Sequence, residues 1–247
     1  MIKPFEASQL KIDRAKFHLQ ELRGEITAFF AKDPFAIVCE HIPELQFPTV
    51  AFRIRIRNEV PAHLAPIIGD IVHNLRTSLD VLACDIVRIT SGPDASVDGV
   101  YYPFCSEKSD LNNMIKKRRL HRSGRAVIEA IKATAPYRGG NDGLRAIHDL
   151  DVQDKHQALI PMATAASIPA SVVVLNGKEN PIPRWSTKIG KDGQMMVMMP
   201  AGFSVPAGTV IPAEFHLIFD AGTVFQGREI ALQIDSCIVG VEKTLDL

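Results

Sequence analysis

Between residues 62 and 90 the chain carries Leu64, Ile67, Ile68, Ile71, Leu75, Leu79, Leu82 and Ile86 at three- and four-residue steps. No other feature constrains the fold as strongly. At about 3.6 residues per turn these side chains form one broad face of a helix, and a face this apolar has to be buried against other elements. Ser91-Gly92-Pro93 stops the helix. Two partners show the same period. Residues 5–31 place Ile12, Ala15, Leu19, Leu22, Ile26 and Phe29 on one side and Arg14, Lys16, Glu21 and Arg23 on the other, until Asp33-Pro34 ends the run. Residues 228–246 carry Ile230, Ile234, Cys237, Ile238, Val241 and Leu245.

Shorter helices are predicted over 107–120 and 124–134, the second with Ser123 as its cap. A turn-rich break at 136–143 precedes a further helix, capped by Asn141 or Asp142 and running to about residue 159. Strands follow a different rule. Residues 35–42 are short and apolar, and 49–57 alternate strictly, with Val50, Phe52, Ile54 and Ile56 opposed to Arg53, Arg55 and Arg57. Residues 43–48, bounded by prolines, make the hairpin connection. Residues 172–175, 195–199 and 215–219 read as strands between Gly, Pro and Asn turns.

Strands that cluster instead of alternating with helices indicate an α+β fold. The expected architecture is a helical bundle packed with a mainly antiparallel β-sheet, formed by the early hairpin and a C-terminal β-rich block. It is read as one domain over 1–247, with a helical core in 1–160 that carries the hairpin 35–57, a β-rich segment at 165–225 and a terminal helix at 228–246.

Lysine plus arginine equals aspartate plus glutamate at 28 each, so net charge gives no pull toward nucleic acid or an anionic membrane. Cys39, Cys84, Cys105 and Cys237 form no CxxC pair, and Cys84 and Cys237 fall in apolar helical patterns as small hydrophobes. With no signal-peptide core and no membrane span, a cytoplasmic protein without a membrane partner is expected.

Polar residues gather on two of the apolar helices. On the first, Asp70, His73, Asn74 and Thr77 occupy about a third of the circumference, opposite the leucine stripe. Arg76 and Asp80 form an i,i+4 pair. This face can line a cleft, with His73 as acid/base or metal ligand and Arg76 as an anion clamp; the alternative is an ordinary solvated surface. On the second, His148, Asp151 and Lys155 share a face, Asp154 lies at its edge and His156 points about a quarter-turn away. A carboxylate there can orient a histidine, Asp and His from two helices can hold a metal, or Lys155 and Arg145 can grip a phosphate near Gly139-Gly140. The alternative is a network of interhelical ion pairs.

Basic character also concentrates in Lys116-Lys117-Arg118-Arg119, with Arg122 and Arg125 beyond, and on Arg53, Arg55 and Arg57. One Trp and three Tyr supply few stacking platforms, so these read as solvated surfaces and nucleic acid is not the expected partner. Glycine-loop, GxSxG and HExxH signatures are missing. His148-Asp149 matches the HD dipeptide of metal-dependent phosphohydrolases, but the β-rich C-terminal third departs from that all-helical fold. Arg145-Ala-Ile-His148 is too short for the R-x4-6-H signature of HEPN ribonucleases.

The two helices together resemble a family of bacterial and phage proteins without an established activity. Its members share an HNLRxxLDxLA helix and, later, an LHxLxxxDKH helix after a Q-P-Y-like turn. The resemblance covers residues 60–160 and falls on His73, Asn74, Leu75, Arg76, Leu79 and Asp80, then on Pro136, Tyr137, His148, Asp154, Lys155 and His156. The chain departs from the pattern at Gln157, where arginine would follow. The expected site is a polar cluster between the two helices of a small hydrolase or nuclease-like enzyme acting on a phosphorylated small molecule. His148, Asp154 and His156 are its catalytic candidates, and Asn74, Arg76, Asp80 and Lys155 its binding residues. The alternative is a non-catalytic structural or interaction protein in which the same motifs form a buried interhelical lock. The residues leave open whether a metal or other cofactor is bound and whether the chain forms a homo-oligomer.

Overall fold

The periodic stripes become helices in the computed structural model of the chain, which describes residues 3–42, 49–166, 174–175, 178–179, 186–199, 208, 210–211 and 213–246. In chain order the helices are α1 (Glu6–Phe30), α2 (Leu64–Ser91), α3 (Leu111–Lys117), α4 (Arg125–Ala133), α5 (Asp142–Asp154) and α6 (Ile230–Leu245). The strands are β1 (Phe35–Ile42), β2 (Thr49–Ile56), β3 (Pro161–Ala166), β4 (Val174–Leu175), β5 (Lys178–Glu179), β6 (Ser186–Lys188), β7 (Met195–Met199), β8 (Val210–Ile211) and β9 (Glu214–Phe219). All described strand pairs are antiparallel, and the fold is α+β. Residues 43–48 of the expected hairpin turn, and 172–173 of an expected strand, lie outside the described residues. Among the described residues no helix is long and apolar enough to cross a membrane.

The chain divides into two compact units. The first comprises Met1–Arg23, His63–Ile160 and Ala221–Leu247. Here α2 buries Leu64, Ile68, Ile71, Leu75, Leu79 and Leu82 and packs on α5 and α6, which also pack on each other. The facing residues are Leu144, Ile147 and Leu150 of α5 and Ile230, Ile234, Cys237, Ile238 and Val241 of α6. Burial of Cys237 pushes its thiol up to about 12, which fits a small hydrophobe and not a reactive thiolate. Polar bonds tie α1 to its neighbours: buried Ser8 donates to the Ser78 carbonyl at 3.0 Å, and Lys16 pairs with Glu242 of α6 at 2.5 Å.

A smaller apolar cluster joins Ala83 and Val87 of α2 to Val100, Cys105, Leu111, Ile115, Leu120 and Ile131. It explains why the predicted helix over 107–120 is interrupted. Arg119 adopts a left-handed φ of 61° after α3, and this turn swings Leu120 into the cluster, where it is fully buried. Ser123 then ends a 3-10 turn and does not cap α4. That position falls to Gly124, at φ 88°, and the Ser123 hydroxyl is buried without a hydrogen-bond partner among the described residues. Asn141 caps α5 as expected, accepting from the Leu144 amide at 3.1 Å. This helix stops at Asp154, short of 159, and the chain turns beyond it, with the His156 and Gln157 amides both donating to the Gln153 carbonyl at 3.0 and 2.7 Å.

The second unit comprises Gly24–Ala62 and Pro161–Asp220. A four-stranded sheet runs β7-β2-β1-β8, a three-stranded one β6-β3-β9, and β4 pairs with β5. The hairpin register sets Phe35 opposite Ile56 and Ile42 opposite Thr49. Val50, Phe52 and Ile54 are buried as the alternation requires. Two arginines of the other face meet carboxylates: Arg53 pairs with Glu40 at 2.9 Å, and Arg55 pairs with Glu40 and, at 3.6 Å, with Asp192.

Candidate functional site

Leu144, Ile147 and Leu150 turn one side of α5 into the core, and the polar residues at its flank therefore come to lie beside α2. Gly69 of α2 makes the approach close. A Cβ there would stand 2.5 Å from an Asp154 carboxylate oxygen, so glycine lets that side chain lie against the helix where a larger residue would push it aside. Burial, reinforced by the nearby Asp151 and Asp70 carboxylates, raises the Asp154 pKa, although the Leu159 amide and His73 act in the opposite direction.

Asp151 is the buried centre of the first group, at 4% exposure, and it uses both oxygens. Oδ1 meets His73 Nδ1 at 3.0 Å, and Oδ2 accepts from Lys155 Nζ at 2.6 Å. With Nδ1 turned to the carboxylate, the other ring nitrogen of His73, Nε2, faces the Thr77 hydroxyl at 3.4 Å. A carboxylate that fixes an imidazole in this way leaves its outer nitrogen able to take and return a proton.

Arg76 is the centre of the second group. It is buried, forms an ion pair with Asp80, and lies over the Phe104 ring with Cζ 4.7 Å from the centroid. Asp80 also accepts the Tyr102 amide at 2.8 Å, which holds the 101–105 segment against α2. The His148 ring stacks on Phe104 at 5.0 Å and 12° between planes, and its Nδ1 receives the Arg76 Nε–H at 3.4 Å. Burial, with Arg76 and Arg145 next in effect, lowers the His148 pKa from 6.5 to about 4. Near neutral pH the ring is therefore uncharged, with its proton on Nε2 as a donor.

Two clefts meet at these residues. One, of about 400 Å³, is lined by Arg76, Phe104, Lys117, Arg118, Arg145 and His148, among others. The other, of about 220 Å³, shares Arg76, Arg118 and His148 and adds His73, Thr77, Asp151 and Lys155. Arg145 donates to the Cys105 carbonyl at 2.8 Å and pairs with Asp149 at 2.5 Å. Arg118 lies over the Tyr101 ring at 5.1 Å and forms no ion pair among the described residues. Among the described residues the Nε–H groups of Arg118 and Arg145 are buried without a hydrogen-bond acceptor, and Arg76 Nη1 has only its ion pair. The arrangement is a cationic cleft beside an oriented histidine.

Of the residues singled out in the sequence, Arg76, Asp80, His148 and Lys155 line the smaller cleft together. Asn74 turns elsewhere: its amide donates to the Asp70 carbonyl at 2.8 Å, and its carbonyl oxygen lies 3.5 Å from Lys11 Nζ. Asp154 is tucked against Gly69. His156 lines a separate, wider cleft of about 960 Å³ with Arg138, Asp149, Gln153 and Arg228. Three site residues were not selected from sequence. Asp151 was on the right face but appeared only as one carboxylate among several. Arg118 was read as part of a solvated run, although it is spaced i+7 from Leu111 and i+3 from Ile115, the buried residues of α3, and follows that helix directly as its C-cap. Phe104, in a loop, carries no periodic signal at all.

Fold and site together define an α+β protein whose helical unit holds an arginine-rich cleft next to a carboxylate–histidine pair. No family model, curated protein or solved structure matches the chain. Among the described residues no group of three or more His, Cys, Asp or Glu side chains is placed to hold a metal ion.

Proposed function

We propose that the chain is a small hydrolase, nuclease-like in its chemistry, that acts on a phosphorylated small molecule bound in this cleft. The observation that carries the reading is the convergence of the Arg76, Arg118 and Arg145 guanidiniums on one cleft, Arg118 without an ion pair among the described residues. Phosphate oxygens suit a guanidinium's paired N–H groups. Neutral His148 adds an N–H donor at the same place without adding charge. His73, oriented by Asp151, takes the acid/base role, and Lys155 stands beside it. No disulfide joins the four cysteines, in keeping with a reducing cytoplasm.

A second reading has its own support. Both oxygens of Asp151 are occupied, and Asp80 joins Arg76 to the Tyr102 amide, as a purely structural lock between elements would require.

Thermal melts with inorganic phosphate separate the two. A site predicts a saturable rise in melting temperature, equivalent to about 2.7 kcal/mol at a hundred times Kd. The rise should vanish in Arg118→Ala, whose ligand-free melt stays near wild type because the arginine has no ion pair to lose. Hydrolysis of p-nitrophenyl phosphate should be lost in His73→Ala. If phosphate leaves the melt unmoved and no hydrolysis is seen, the lock reading stands.

A further inference from the structure

Hydroxyls on the helices of this protein ordinarily turn back to their own backbone. Ser78 donates to the Leu75 carbonyl at 2.7 Å, Thr90 to Ile86 at 2.8 Å and Thr244 to Gly240 at 2.9 Å. These are the local bonds expected of Ser and Thr within a helix. Thr77 differs. Its Oγ1 faces His73 Nε2 at 3.4 Å, one turn earlier on the same face, and the opposite nitrogen of that ring is held by buried Asp151 at 3.0 Å. Hydroxyl, imidazole and carboxylate thus stand in the order that activates a hydroxyl nucleophile. All three line the cleft that also holds Arg76, Arg118 and Lys155.

We infer that Thr77 is the nucleophile of this site and that a phosphate monoester is cleaved through a phosphothreonine intermediate. The inference rests on the phosphoryl-hydrolase reading and replaces direct attack by water with a two-step route. In the first step a lone pair of Thr77 Oγ1 forms a bond to phosphorus as the bond from phosphorus to the ester oxygen breaks. The Thr77 proton passes to His73 Nε2 and from there to the departing alcohol. In the second step a water oxygen bonds to phosphorus while its proton goes to His73 Nε2. The Thr77–phosphorus bond breaks, and Oγ1 takes that proton back. Arg76 and Arg118 face the charge on the transferring group. Asp151 touches no substrate in this scheme and acts as a positioning residue, holding the imidazole so that Nε2 addresses the hydroxyl.

The test uses the full chain with p-nitrophenyl phosphate and acetyl phosphate as probes. Wild type and Thr77→Ser should both turn over, and Thr77→Ala should lose kcat by on the order of 100-fold or more with an unchanged melting temperature. Acid-quenched wild type should carry one phosphoryl group on the peptide containing Thr77. Asp151→Asn should lower kcat with KM little changed, whereas a purely structural role would lower the amount of folded enzyme and leave kcat per folded molecule intact. Turnover that persists in Thr77→Ala but disappears in His73→Ala overturns the inference and leaves the hydrolase reading in place. No turnover and no phosphorylated peptide with either probe overturns both.

Discussion

Acidification tests how His148 is held. Its pKa is lowered from 6.5 to about 4, first by burial and then by Arg76 and Arg145. Between those two values the unfolded chain carries a protonated imidazole and the folded one does not. The unfolded state therefore binds more protons in this window, and stability falls as the pH falls from about 6.5 toward about 4. The interval corresponds to about 3 kcal/mol at about 1.4 kcal/mol per pH unit, somewhat less with residual solvent at the ring. The control is His148→Asn, whose amide oxygen can accept from Arg76 in place of Nδ1 but does not titrate. Urea unfolding of both proteins at a series of pH values from about 7 to about 4 gives the difference directly, because the other histidines contribute equally to each. Wild type should lose about 2–3 kcal/mol more than the variant across the window. Parallel stability curves would mean that the ring takes up its proton freely in the folded state, and the account of a neutral donor stacked on Phe104 would be wrong.

Two substitutions at the same interface have outcomes whose sign or size decides between effects. Gly69→Ala adds helix propensity of about 1 kcal/mol but brings a Cβ within 2.5 Å of the Asp154 carboxylate, whose side chain must swing aside. The change should therefore stabilise an Asp154→Ala background more than wild type; an equal shift in both melts rules out the contact. Asp80→Ala leaves buried Arg76 without its counter-charge and the Tyr102 amide without its acceptor, a loss of about 3 kcal/mol or more, part of which added inorganic phosphate should restore. A loss under about 1 kcal/mol, as for an exposed ion pair, would show that Asp80 does not anchor this wall of the cleft.

Legibility in the sequence followed the range of the interactions. The α2 stripe, the β1–β2 alternation and the Asn141 cap depend on neighbours within a few residues, and each was readable from spacing alone. The shared face of His148, Asp151 and Lys155 was readable for the same reason. What could not be read depends on distant partners. Nothing near residue 119 announces the left-handed turn that brings Leu120 into a cluster with Val87 and Ile131. Spacing sets His156 about a quarter-turn from His148, but it does not show that Phe104 and Arg76 pack on His148 while His156 lines another cleft. Thr77 lies on the expected face, but the direction of its hydroxyl depends on a histidine that Asp151, on another helix, has already turned.

The same distinction bears on how the site can be both buried and cationic. Arg76 with Asp80, Arg145 with Asp149, and Lys155 with Asp151 are each i,i+4 pairs on a single helix. The sequence spacing itself supplies the counter-charge, so α2 can bury Arg76 and α5 can bury Arg145 before any ligand arrives, while Lys155 stays exposed. Such pairs cancel, and a cleft built only from them would attract anions weakly. The excess comes from Lys117, the last residue of α3, and from Arg118 just beyond it, neither with a carboxylate partner among the described residues; Arg118 also lines the smaller cleft. Its position is set by the apolar seating of Leu111, Ile115 and Leu120. Anion affinity is thereby linked to hydrophobic packing: the helices α2 and α5 provide a neutralised, preorganised wall, and the seating of α3 decides whether an uncompensated charge faces it.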